Sequence, residues 1–227
     1  MFALQDLEKH KQLTLVKELI QREQKKREDN NAVALIDSNG DVIELDLHGV
    51  QLTQGEVHAI RSLNKLKKLN LSETNLSDEL FGDNYELRSL VELDLSDTQI
   101  GDKMLSHLGG FRQLKHANLD RTRISNAGFA HLEQYVETYN LKHLDHLSIR
   151  GNRLADACLE SLSKISDLKS LDISGTEVTN AGLKHLAELK NLKTVTAKAT
   201  GMSMEGFRTL SEIPAFDVLK TLQLKFD

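Results

Sequence analysis

Apolar residues along this chain follow a pattern that keeps restarting. From Val42 onward each restart runs apolar, two variable, Leu, polar, Leu, two variable, Thr, variable, Ile. The restarts stand at Val42, Leu66, Leu90, Leu114, Leu144, Leu168, Leu192 and Leu219, at intervals of 24, 24, 24, 30, 24, 24 and 27 residues. Eight units share one template. Within a unit, Leu69-Asn70-Leu71 or Leu93-Asp94-Leu95 alternates apolar and polar, as a short strand with one buried face must. The second half of a unit changes period. Thr179-Asn180 is a helix N-cap pair, and Leu183, Leu186 and Leu189 follow three residues apart, which predicts a short helix or 3₁₀ turn with one apolar stripe. Each unit is thus a strand plus a helical return. One such unit buries too little surface alone, so neighbours must stack and share a continuous core.

The repeated segments LKKLNLSETNL (66–76), LVELDLSDTQI (90–100), LKHANLDRTRI (114–124), LDHLSIRGNRL (144–154) and LKSLDISGTEV (168–178) resemble the leucine-rich repeat family. With Thr at the ninth place and Ile-Ser/Thr-Asp/Asn, then Gly-Leu, behind it, the unit looks like the bacterial variety. The resemblance covers residues 42–227. It implies an α/β solenoid, a right-handed horseshoe with a parallel β-sheet on the concave face and helices on the convex face. It also implies an Asn at the ninth place that satisfies the turn after the strand. Here that place holds Val50, Thr74, Thr98, Thr122, Asn152, Thr176 and Thr200. A Thr hydroxyl both donates and accepts, so a threonine ladder is expected to replace the asparagine ladder.

Both ends of a stacked sheet need covering. Residues 1–41 are expected to form an N-terminal cap, and residues 42–227 the repeat domain. Ser38-Asn39-Gly40-Asp41 lies between the apolar runs AVALID (32–37) and Val42-Ile43-Glu44-Leu45, a hairpin signal that predicts an antiparallel strand sealing the first unit. Ahead of it Leu4, Leu7, Leu13, Val16, Leu19 and Ile20 have helical spacing, expected to be a capping helix pair over residues 2–28. The last unit has no comparable cover, so self-association through that edge is one expectation. A larger effector or regulatory protein, of which this chain is the recognition arm, is another.

Composition narrows the partners. Aromatics are 4% and Trp is absent, so the core is built from many similar aliphatic side chains. A net charge of −5 gives no reason to bind nucleic acid, whose affinity rests on phosphate neutralisation. The lone Cys158 cannot form an internal disulfide, and no apolar run approaches the length of a membrane span. These features point to a cytoplasmic, reduced chain, with the expected absence of a secretory leader.

Function must be sought where units differ. The third, fifth, seventh and eighth places are expected to face the concave side, and the partner-binding candidates there are Glu92, Asp94, His116, Asn118, Asp120, His146, Ser148, Arg150, Ser170 and Asp172. Charge is polarised along the units. Glu44, Asp46, Glu92, Asp94, Asp97 and Asp120 come early, and Lys193, Lys198, Lys220 and Lys225 come late, an arrangement able to orient a partner. His107, His131 and His185 recur in one column of the helical return, which predicts convex-surface positions. No zinc motif is present, and His143 and His146 are read as structural rather than ligands, so no metal or cofactor is expected. Cys158 stands where other units have Gly128 and Gly182 and is expected to be a small buried thiol. The chain reads as a non-catalytic protein-binding module. The enzymatic alternative rests on His116, His146 and Asp94, and it lacks the water-excluding pocket catalysis requires.

Overall fold

A computed structural model describes residues 2–26, 33–81, 87–108, 110–130, 143–212 and 223–225. Nine strands form one sheet in chain order: β1 (Ala34–Ile36), β2 (Val42–Asp46), β3 (Lys68–Asn70), β4 (Glu92–Asp94), β5 (His116–Asn118), β6 (His146–Ser148), β7 (Ser170–Asp172), β8 (Thr194–Thr196) and β9 (Gln223–Lys225). β1 pairs antiparallel with β2, and every later pair is parallel. From β2 to β8 the register is the same at each step: Glu44 pairs with Lys68, Lys68 with Glu92, Glu92 with His116, and so on, third place against third place. At β9 third-place Thr194 pairs with Gln223, two residues beyond the third place counted from Leu219, so the last strand stands two residues later than the repeat pattern predicts.

That register follows from the core. Leu45, Leu69, Leu93, Ala117, Leu147, Leu171 and Val195 at the fourth place are all buried, as are Leu47, Leu71, Leu95, Leu119, Ile149, Ile173 and Ala197 at the sixth. A slip by one residue would turn every one of them to water. The helical returns α2 (Gln54–Arg61), α3 (Asp78–Phe81), α4 (Asp102–Leu108), α5 (Ala157–Leu162), α6 (Leu183–Leu186) and α7 (Met204–Ser211) close the other side of this column. A 3₁₀ turn at Asn180–Gly182 leads into α6.

At the N-terminal edge the hairpin forms as its Asn-Gly turn predicts, with Gly40 at φ 81°. A single helix, α1 (Phe2–Lys26), replaces the expected helix pair. Val16, Leu19 and Ile20 of α1 are buried against the first unit, and Arg22 reaches Glu56 of α2 at 2.6 Å. Residues 27–32, which continue the charged tract into the hairpin, lie outside the described residues, as do His131, Leu219, Lys220 and Thr221.

Beyond the strands, backbone bonds continue into the turn. The amides of Gly49, Glu73, Asp97, Arg121, Gly151 and Gly175, all at the eighth place, donate to the seventh-place carbonyl of the next unit at 2.7–2.9 Å. Each of these residues, and Ala199 after them, has positive φ. Four are not glycine, and a left-handed corner is costly for a side chain; the recurring bond holds the corner in place regardless.

Side chains that join units are not the ones expected. The ninth-place hydroxyls of Thr74, Thr98, Thr122, Thr176 and Thr200 donate to the carbonyl three residues earlier in their own unit, at 2.6–3.0 Å. They close the turn of their own unit, and of these only the Thr122 hydroxyl also reaches the next unit, 3.0 Å from Asn152 Oδ1, so no continuous threonine ladder links neighbours. Asn75 and Asn152 cross at single junctions, and the recurring crossing is made by an Asp or Asn at the thirteenth place. Asp78, Asp102, Asn126, Asp156 and Asn180 accept from the amides of Gly101, Ser125, Ala155, Thr179 and Ser203 in the following unit, at 2.7–3.1 Å. Asp156 shows the division of labour: it occupies the N-cap of α5 yet makes no cap bond there, its carboxylate being committed to Thr179.

Candidate functional site

The concave face is an open groove of about 700 Å³ lined by third- and fifth-place residues of β2 to β7 with Val33, Ala34 and Leu35 at one end. Its polar columns behave differently. Fifth-place Asp46, Asn70, Asp94, Asn118 and Asp172 each accept from the seventh-place amide of their own unit at 2.9–3.1 Å, an Asx turn that ends the strand. Asn118 also donates to Asp94 at 2.9 Å, and Arg150 approaches Asp172 at 4.0 Å. Of the predicted partner-binding residues, Asp94, Asn118 and Asp172 are therefore partly engaged already.

Asp120 is a correction. The seventh place was expected to face the groove, but Ser72, Ser96, Asp120 and Ser174 are buried. The unit starting at Leu144 has Ser148 at its fifth place, which lacks the side-chain carbonyl oxygen of an Asx turn. Asp120 of the preceding unit supplies it, accepting from the Arg150 amide at 2.8 Å and from the Ser148 hydroxyl. Burial pushes the Asp120 carboxyl above its usual range, against these two bonds, which lower it.

The third-place column is the one whose side chains reach into the groove. Lys68 stands between Glu44 at 3.9 Å and Glu92 at 3.4 Å. Glu92 lies 4.0 Å from His116, and the His116 and His146 rings meet edge to face with centroids 4.5 Å apart. Ser170 and Thr194 continue the row. These ion pairs are about half exposed and contribute little to stability; they leave their charges available. Burial and the neighbouring His116 lower the His146 pKa below its usual value. At the rim, Arg121 forms a two-pronged ion pair with Asp97, which holds the Asp97 carboxyl low.

Other sequence expectations resolve as follows. Cys158 is fully buried, and burial pushes its thiol up to about 12. His107 and His185 are half-buried rather than on the convex surface: His107 lies 6.4 Å from the Phe81 ring, and His185 is 3.6 Å from Glu188. His143 turns to Asp167 at 3.0 Å. The carboxylate that joins His116 and His146 is Asp145, not Asp94: one donor atom from each of the three lies within 4.8 Å of the others. Asp145 sits at the second place of its unit, a column with no expected role in the groove.

Comparison with known proteins agrees with this geometry. A leucine-rich repeat family model matches residues 86–103 and 164–187. No curated protein sequence matches the chain. Among solved structures, the fold is similar to an internalin C2 from Listeria monocytogenes, with 22% identity, a TM-score of 0.55, and 84% of this chain and 87% of that one covered. It is also similar to a leucine-rich repeat protein from Leptospira interrogans, with 19% identity, a TM-score of 0.50, and 81% of this chain and 48% of that one covered. Among the described residues no helix is long and apolar enough to cross a membrane. Among the described residues, strands stacked in one sheet on one face and helical returns on the other give this chain a leucine-rich repeat fold, in agreement with the family model and with both solved structures.

Proposed function

We propose that the chain is a non-catalytic module that binds another protein on the concave face of its sheet. The observation that carries this reading is the contrast between columns. Most fifth-place oxygens accept turn amides and seventh-place Ser72, Ser96, Asp120 and Ser174 are buried, whereas the third-place row Glu44, Lys68, Glu92, His116, His146 projects into an open groove on a backbone locked by sheet bonds, with the exposed seventh-place Arg150 beside it. A rigid floor loses little conformational freedom when a partner docks. Charge gives the floor a direction: Glu44, Glu92 and Asp94 mark one end, and the exposed Lys193, Lys198 and Lys225 the other. A partner with a basic and an acidic end is thereby oriented. Arg150 and Ser148, with Ser170 and Asp172 beside them, complete the proposed surface. The buried, unreactive thiol of Cys158 fits a cytoplasmic setting.

The test is affinity capture. Partners retained from lysate by the parent chain should be lost when Glu92, Asp94, His116, Asn118 and Arg150 are together changed to Ala. Equal retention, with circular dichroism showing the fold intact, refutes concave-face binding.

A further inference from the structure

We propose that His116, His146 and Asp145 form a binding site for one divalent transition-metal cation of the zinc class on the floor of the groove. Parallel pairing of β5 with β6 sets His116 directly beside His146. Their rings stand 4.5 Å apart, and Asp145, the residue before His146, brings a carboxylate oxygen within 4.8 Å of both donor nitrogens. Among the described residues this is the one trio of metal-ligating side chains so placed. Two imidazoles and a carboxylate are a donor set suited to zinc, with a fourth position left for water.

The distances require a small closure. Ligand atoms around a tetrahedral zinc with bonds of about 2.1 Å stand roughly 3.4 Å apart, so these donors must draw together by on the order of 1 Å. Rotation of the half-exposed His116 ring and its neighbours is sufficient, because the backbone beneath is fixed: the amides of Asp145 and His146 both donate to the Lys115 carbonyl, at 2.8 and 2.9 Å.

Two neighbours tune the site. Glu92 lies 4.0 Å from Nδ1 of His116, beyond hydrogen-bond distance, and adds negative charge that favours a cation. Lys169 lies 3.0 Å from Asp145 and competes with the cation for that carboxylate. His143 is directed away to Asp167 and takes no part. The site stands whether or not a protein partner docks in the groove.

Zinc titration of the purified chain against a chromophoric zinc indicator, with Co²⁺ absorption to report coordination, tests this. We expect one Zn²⁺ per chain, with His116→Ala and His146→Ala each weakening binding by about 10- to 100-fold or more. Asp145→Asn should weaken it, Lys169→Met should tighten it, and His143→Ala should leave it unchanged. Circular dichroism checks that each variant is folded. The proposal is overturned if the His116→Ala/His146→Ala double variant binds zinc as the parent does, or if His143→Ala causes the same loss.

Discussion

Replacing Asn152 with Thr, the residue used at the same place by most other units, should destabilise the protein although it restores the repeat consensus. Asn152 is buried, with 3% exposure. Its amide donates to Leu119 O at 2.8 Å and Ile149 O at 2.9 Å, and its carbonyl accepts from the Thr122 amide at 2.9 Å and hydroxyl at 3.0 Å. A Thr hydroxyl would keep only the bond within its own unit, as Thr176 does to Ile173. Three bonds to the preceding unit would go. The Thr122 hydroxyl retains Leu119 O, so two bonds are lost outright and a third is partly compensated. At about 1 kcal/mol per net hydrogen bond, the cost is about 2–3 kcal/mol. Urea unfolding followed by circular dichroism measures it. A double-mutant cycle with Thr122→Val should show coupling of roughly 0.5–1 kcal/mol. An Asn152→Thr variant within about 0.5 kcal/mol of the parent would refute the claim that this junction, which follows the one 30-residue interval, depends on side-chain crossing bonds.

Three further outcomes are expected. Leu95→Ala, a truncation at a fully buried position, should cost about 2–5 kcal/mol in denaturant unfolding. Gly182→Ala should lower the melting temperature, because a Cβ there would lie 2.6 Å from Asp156 and 2.7 Å from Leu159, whereas Gly55→Ala meets open space and should be neutral or stabilising. Asp120 has a raised pKa in the folded state, so the folded form holds its proton more firmly than the unfolded form. Its contribution to stability therefore falls as pH rises from the ordinary value of 3.8 through the native one. The denaturation midpoint of the parent relative to Asp120→Asn should be highest in acid and decline across that window.

The fold was legible in the sequence because one period governs it: the fourth- and sixth-place residues of the units from Val42 to Leu192 are all buried, and the Asn39-Gly40 hairpin forms where its turn chemistry places it. The joints between units were harder to read. Asp78, Asp102, Asn126, Asp156 and Asn180 look like helix caps, since a cap and a cross-unit acceptor call for the same short polar side chains. Only the stacking distance decides that Asp156 serves Thr179 rather than its own helix. The ninth-place Thr residues misled in the opposite sense, for a hydroxyl is too short to cross the gap that the Asn152 amide spans. In the groove, the third-place row was legible from alternation. The withdrawal of Asp120 was not, because a seventh-place side chain lies beyond the strand, buried at Ser72, Ser96 and Ser174 and exposed at His48 and Arg150, and Asp120 is held by Ser148 and Arg150 of the neighbouring unit. Asp145 was missed because its column has no fixed direction in the template.

The corner bonds at Gly49, Glu73, Asp97, Arg121, Gly151 and Gly175 have a mechanical consequence. They and the sheet bonds run from unit to unit, along the stack rather than across it, and the described ends of the chain, α1 and β9, lie at opposite ends of that stack. Tension applied through those ends loads the interfaces in series, so the weakest opens first instead of all the bonds shearing together. The molecule would lengthen in steps, one unit peeling from the next, while the units still docked keep their groove.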